Sequence, residues 1–219
     1  MREQREVAIE IAEGALGAFL ALTEPAHGLV IFAHGSGSSR FSSRNRFVAD
    51  ELNKAGFATL LMDLLTEGEE RVDRITAELR FDVGLLAQRL EAGTDWSRRL
   101  FARTPLPTGY FGASTGAAAA LIAAADAGDG IKAVVSRGGR PDLAGDALPR
   151  VTAPTLLIVG GEDREVIRLN RQAQAAMRCK NELTIVPGAT HLFEEPGALE
   201  HVAALAMEWF RVHLKAETV

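Results

Sequence analysis

Residues 110–116 read Tyr110-Phe111-Gly112-Ala113-Ser114-Thr115-Gly116, and this stretch decides the fold. Gly112-Ala113-Ser114-Thr115-Gly116 fits the G-x-S-x-G pattern, in which a serine sits on a sharp turn between a strand and a helix. A short apolar run, Gly109 to Phe111, precedes it, and an alanine-rich helical stretch, Ala117 to Ala125, follows. The turn forces the serine into a strained backbone conformation, so its close neighbours must be small, as Gly112 and Gly116 are. Ser114 then stands at a helix N-terminus, where unpaired N–H groups and the dipole favour developing negative charge.

Outward from this turn, short β-type runs alternate with helical stretches. The expected strands are Val7–Ile11, Leu16–Leu22, Leu29–Ala33, Ala58–Met62, Thr108–Phe111, Ala133–Ser136, Thr155–Val159 and Leu183–Val186. The first two read as a hairpin. From Leu29 onward the strands are nearly pure apolar runs, as parallel strands covered on both faces require. Helices are expected over about 43–55, 81–92, 94–103, 115–127, 165–178 and 198–214. The last carries Leu199, Val202, Leu205, Ala206, Trp209 and Val212 at helical spacing, a core stripe and not a ligand site. The fold class is α/β: a doubly wound, mostly parallel eight-stranded sheet with helices on both faces. No linker, repeat or low-complexity segment divides the chain, so residues 1–219 are expected to form one domain. The conformation of residues 64–80 does not follow from the pattern.

Bulk properties narrow the function. The chain has 219 residues, 47% hydrophobic and 24% charged, the make-up of an ordinary globular enzyme. A net charge of −5 argues against nucleic acid or an anionic membrane as partner. One cysteine, Cys179, excludes an internal disulfide and fits a reducing compartment. The charged start, Met1 to Glu6, is no signal peptide, and no apolar run approaches the ~20 residues of a membrane span. A cytoplasmic location is expected.

An activated serine needs a base within reach and an acid to orient the base, in the chain order Ser, Asp or Glu, His. The strand 155–159 ends in Gly160-Gly161-Glu162-Asp163, and the strand 183–186 ends in Pro187-Gly188-Ala189-Thr190-His191. Each delivers the needed residue type in the needed order. His191 is read as the base and Asp163 as the acid, with Glu162 and Asp142 as alternatives for the acid. Of the other histidines, His201 and His213 sit on the final helix and His27 precedes a strand.

An oxyanion requires two preorganised donors. The N–H of Thr115 is one. The other is assigned to Ser36 N–H, in the loop His34-Gly35-Ser36-Gly37-Ser38-Ser39, whose Gly35 lets the backbone approach a substrate. That loop lacks the ending of a P-loop and the spacing of a dinucleotide fingerprint. No H-E-x-x-H and no paired cysteines support a metal. No cofactor and no metal are expected. Arg137 and Arg140, with Arg40 and Arg44, offer attraction for a carboxylate or phosphate on the substrate, Arg40 and Arg140 being the preferred contacts. The alternative is pairing with Asp142, Asp146 and the acidic run Glu67-Gly68-Glu69-Glu70.

Taken together, the His34-Gly35 turn, Gly112 to Gly116, Gly161-Glu162-Asp163 and Gly188-Ala189-Thr190-His191 resemble the α/β-hydrolase superfamily, and within it the small dienelactone hydrolase-like branch. Dienelactone hydrolase proper uses a cysteine nucleophile. Ser114 stands in that place here and Cys179 is far from the elbow, which favours carboxylester hydrolysis. The resemblance also implies that His34 shapes the oxyanion loop without acting as a base. Lid domains of this superfamily are usually inserted between the strands ending at Ser136 and beginning at Thr155, and residues 137–154 leave no room for one. The expected function is a serine carboxylesterase acting on small to medium soluble esters through an acyl-enzyme, as a monomer or homodimer. The same parts serve lactone, thioester or amide cleavage and acyl transfer, and the fold also hosts non-catalytic binding proteins.

Overall fold

A computed structural model describes residues 2–215 of the chain. Eight strands form one sheet: β1 (Arg2–Ile11), β2 (Gly14–Thr23), β3 (Leu29–Ala33), β4 (Ala58–Met62), β5 (Thr108–Ala113), β6 (Ala133–Arg137), β7 (Thr155–Gly160) and β8 (Asn181–Val186). Their order across the sheet is β1-β2-β4-β3-β5-β6-β7-β8. β1 pairs antiparallel with β2, and β2 with β4; every later pair is parallel. The order reverses direction at β3, so β3 and β5 lie side by side with their carboxyl ends together, where open α/β sheets bind ligands.

Helices cover both faces, as the two-sided burial of β3 to β7 demands. On one side α1 (Ser43–Lys54) and α6 (Ala198–His213) pack Val48, Leu52, Val202 and Phe210 against Phe32, Phe111 and Val135. On the other, α3 (Val83–Leu100) and α4 (Thr115–Ala127) pack Leu86, Leu90 and a run of buried alanines against Ile31, Leu60 and Tyr110. α2 (Glu67–Thr76) lies outside these layers, and α5 (Arg164–Ala176) follows β7. Between β6 and β7, residues 138–154 carry only 3₁₀ turns (Pro141–Arg150), with no lid. Among the described residues no helix is long and apolar enough to cross a membrane.

Three elements differ from the sequence expectation. β1 begins at Arg2, not Val7, because the charged residues ahead of Val7 belong to an edge strand that faces water. The helices expected over 81–92 and 94–103 are the single helix α3. Gly93, which reads as a break, packs against β4: a Cβ there would stand 2.4 Å from Met62 Sδ. Within 64–80, Thr66 opens α2 with a capping box, accepting the Glu69 N–H while the Glu69 carboxylate accepts its own N–H.

Candidate active site

Ser114 joins β5 to α4 with φ 51° and ψ −122°, a positive φ that a non-glycine residue holds only under strain of about 1–3 kcal/mol. Contacts with backbone enforce it. A Cβ on Gly112 would stand 2.5 Å from Ala117 Cα, and one on Gly116 would stand 2.3 Å from Ala33 O. Only glycine at both positions lets α4 start against the end of β3. Hydrogen bonds with the end of β6 and the loop after it hold the serine from both sides. Ser114 N–H donates to Arg137 O at 3.3 Å, and Arg140 N–H donates to Ser114 O at 3.0 Å. This staple carries no motif and was not legible in the sequence.

The acid and base loops are locked to each other. Gly161 N–H donates to Val186 O at 2.8 Å, and Glu162 N–H donates to Ala189 O at 3.0 Å. A Cβ on Gly160 would stand 2.4 Å from Ala189 O, so the chain after β7 passes directly under the chain after β8. In this frame His191 Nδ1–H donates to Asp163 Oδ2 at 2.7 Å. A carboxylate only accepts, so the proton resides on Nδ1 and the lone pair of Nε2 is available. His191 reaches the elbow's surroundings: a Cβ on Gly138, next to Arg137, would stand 3.6 Å from its Cε1. Of the alternative acids, Glu162 is exposed, and Asp142 accepts two bonds from Arg140 at 2.9 and 2.8 Å.

Gly35 brings the loop after β3 against the nucleophile, since a Cβ there would stand 2.9 Å from Ser114 Cβ. His34 holds that loop. Its Nδ1–H donates to Gly35 O at 2.9 Å, and its Nε2 accepts the Leu64 N–H at 3.1 Å. Burial holds its pKa below the usual histidine value, so the ring is a neutral strut between the oxyanion loop and the segment after β4. The Ser36 N–H, the expected second donor to an oxyanion, donates to Thr115 Oγ1 at 2.9 Å. The hydroxyl of Thr115, buried beside the elbow, occupies the donor that was assigned to an oxyanion.

With this geometry in place, comparison with known proteins is informative. Residues 16–214 match the dienelactone hydrolase family. The chain belongs to that family. Its fold superimposes on the crystal structure of dienelactone hydrolase from Anabaena variabilis with a TM-score of 0.95 and 54% identity, covering 98% of this chain and 99% of that one. A lidless α/β serine hydrolase from Xanthomonas campestris shares the fold at 22% identity, with a TM-score of 0.78 over 99% of this chain and 97% of that one. Two Mycobacterium tuberculosis proteins, of strains CDC 1551 and H37Rv, are 57% identical over 212 residues. Both carry the provisional name of a phosphoribosyl transferase, and the match covers 96% of this chain but 47% of theirs. The chain therefore spans about half the length of these curated relatives. Family match and structural likeness run along almost the whole of this chain.

Among the residues this family member was expected to use for anions, Arg40 and Arg140 are already neutralised. Arg40 pairs with Asp63 through both backbone and side chain, reaches Glu6 at 2.7 Å, and stacks on Phe41 with its Cζ 4.5 Å from the ring centroid. Arg140 is held by Asp142 in a two-pronged pair. Arg44 gives Nη1 to Glu194 at 3.1 Å. Neither Arg40 nor Arg140 is presented as a free cation, because carboxylates near or far in sequence meet them first. Cys179 lies at the foot of β8, its thiol pKa raised by burial and its Sγ 4.0 Å from Thr155 Oγ1, away from the elbow. Among the described residues no cluster of His, Cys, Asp and Glu is arranged to hold a metal ion. A cleft of about 470 Å³ borders the oxyanion loop, lined by Gly37, Ser38, Phe41, Leu65, Glu67 and Arg74 among others.

Proposed function

We propose that the protein is a serine hydrolase that cleaves carboxylic esters of small to medium soluble substrates through an acyl-enzyme. The observation that carries this reading is the Asp163–His191 bond at 2.7 Å on loops locked beside a serine held at positive φ. His191 Nε2 takes the proton of Ser114 Oγ as that oxygen attacks the ester carbonyl, and Asp163 stabilises the imidazolium. The same proton passes to the departing alcohol. Water, activated by His191, then releases the acid and restores the serine. Thr115 N–H faces the developing oxyanion first. Ser36 N–H becomes the second donor once the Thr115 hydroxyl turns aside for the substrate, so the oxyanion hole is completed by binding. The absence of a lid in residues 137–154 and the open cleft beside Gly37 and Ser38 suit a water-soluble substrate.

The family relationship favours a lactone as a second substrate type, since a lactone is an internal ester opened by the same steps. The transferase name of the M. tuberculosis relatives belongs to proteins about twice as long. We assign the hydrolase chemistry to the half that this chain matches.

Intact-mass measurement after a small fluorophosphonate tests the reading on wild type, Ser114→Ala and His191→Ala. One adduct is expected on wild type, none on Ser114→Ala, and much slower labelling of His191→Ala. A folded wild-type protein that takes no adduct would overturn it and leave a binding protein on a hydrolase scaffold.

A further inference from the structure

Two arginines of this protein are buried to the same degree, each with 6% of its surface exposed. Arg89 has what burial of a charge requires: Glu13 and Glu69 accept from its terminal nitrogens at 2.8 and 2.7 Å. Arg137, the last residue of β6, does not. Among the described residues no carboxylate pairs with it and no side-chain hydrogen bond engages it, and its Nε, like that of Arg89, is sealed from solvent without an acceptor. Phe193 covers its Cζ, with the ring centroid 5.9 Å away. Burial, and the like charge of Arg44 on α1, push its pKa down to about 10. Arg44 itself has a buried Nε without an acceptor, and its one counter-charge, Glu194, is 65% exposed at the rim.

A buried guanidinium with no counter-charge is destabilising, and the fold tolerates it at a place where a ligand can provide the missing charge. The backbone of Arg137 adjoins the nucleophile. Arg137 O accepts the Ser114 N–H, and the next residue, Gly138, lies against His191.

We propose that Arg137 and Arg44 form a subsite for a phosphoryl group beside Ser114. Two guanidinium forks with a single carboxylate at the rim call for a dianion, and guanidinium edges match phosphate oxygens in pairs. Entry of the ligand breaks the Arg44–Glu194 pair, a rim contact worth little in water, and shifts Phe193 off the Arg137 guanidinium. The phosphoryl group belongs either to inorganic phosphate or to a substrate that carries one. Its use in turnover rests on the esterase reading; the anion site does not.

The test titrates inorganic phosphate against wild type, Arg137→Met and Arg44→Met, with melting temperature as readout and potassium chloride at matched ionic strength as control. Phosphate is expected to stabilise wild type beyond chloride. Binding should be lost in Arg137→Met and weakened about tenfold in Arg44→Met. Arg137→Met itself should melt no lower than wild type, since an unpaired charge gives way to an apolar chain of similar length. Equal effects of phosphate and chloride on wild type, or unchanged phosphate binding by Arg137→Met, would overturn the proposal. If Arg137→Met does not fold, Arg137→Lys is read in its place. It keeps the charge and loses the fork, so binding should weaken about tenfold, and unchanged binding again overturns the site. The source is separated with acetylated glycerol 3-phosphate and glycerol monoacetate. A substrate phosphoryl group predicts that their kcat/KM ratio falls about tenfold in Arg44→Met, whereas separate inorganic phosphate leaves the ratio unchanged. Phosphate protection of wild type without cleavage of either ester would sink the esterase reading and leave the subsite standing.

Discussion

The elbow between β5 and α4 and the helix α2 flank the same oxyanion loop under opposite constraints. At the elbow each small residue answers to a fixed atom: Gly112 to Ala117 Cα, Gly116 to Ala33 O, Gly35 to the Ser114 side chain. In α2 almost nothing presses. A Cβ on Gly68 would find its nearest heavy atom at 3.9 Å, in ordinary contact, and Ile75 is 88% exposed. Steric necessity holds the first region, whereas a capping box, helix propensity and the ion pairs of Glu69 with Arg89 and Asp73 with Arg80 hold the second. Strain at Ser114 persists because its surroundings over-determine it, and a region like α2 has no means of storing such strain.

Breaking the elbow chemically should give the largest effect. Ser114→Ala is expected to lower kcat on an activated ester by on the order of 10⁶-fold, with residual turnover from the oxyanion donors and binding. Ser114→Gly should be equally inactive yet more stable by about 1 kcal/mol, since glycine occupies φ 51° without a Cβ penalty. Denaturant midpoints of the two variants check this, and equal midpoints would mean that the serine backbone is unstrained. Breaking the elbow sterically comes next. Gly116→Ala drives a Cβ toward two backbone carbonyls, Ala33 O and His34 O, which are not flexible side-chain ends. The expected loss is about 3 kcal/mol by chemical denaturation, at the upper end for overpacking.

The same contrast explains what could be read from the sequence. Gly112, Ser114 and Gly116 were legible because close approach of backbones leaves few residue types at fixed spacing. Asp163 and His191 were legible from their order at the ends of two apolar strands, and the structure brings them into hydrogen-bond contact. The bond from Ser36 N–H to Thr115 Oγ1 was not legible because it depends on one rotamer of Thr115, which leaves no periodic trace. The pairing of Arg40 was not legible because its partners, Asp63 just after β4 and Glu6 within β1, are distant in sequence. α2 was missed since Val72 and Ile75 lie exposed and mark no core face, although Thr66-x-x-Glu69 was a readable start signal.

His34 links the two regions, which makes the contrast sensitive to pH. The neutral ring donates to Gly35 O on the elbow side and accepts Leu64 N–H on the α2 side. Desolvation lowers its pKa, and the fields of Asp63 and Glu70 offset this only in part. The folded protein thus binds fewer protons than the unfolded chain below the unfolded value of about 6.5. The stability contributed by His34 is whole above that pH and is lost as pH falls through 6.5 toward the lowered native value. Melting temperatures at pH 7.5 and 5.5 should therefore differ more for wild type than for His34→Gln, whose amide donates and accepts without titrating. Equal differences would detach the oxyanion loop from this titration.

The smallest change sharpens the comparison most. Gly68→Ala makes the same chemical substitution as Gly116→Ala, in the first turn of a helix where the added methyl meets ordinary contact at 3.9 Å. Helix propensity alone should decide its sign. A gain of about 0.5 kcal/mol is expected, less than the full glycine-to-alanine difference because the position lies near the helix end. Thr66→Ala, which removes the cap from a buried position, should lose about 1 kcal/mol. Denaturant midpoints of the two variants separate the contributions. If Gly68→Ala destabilised the protein as Gly116→Ala does, α2 would be held by close contacts after all. Variation in α2 would then bear on the oxyanion loop through Leu64 and His34, and the slack assigned to this region would have to be sought elsewhere.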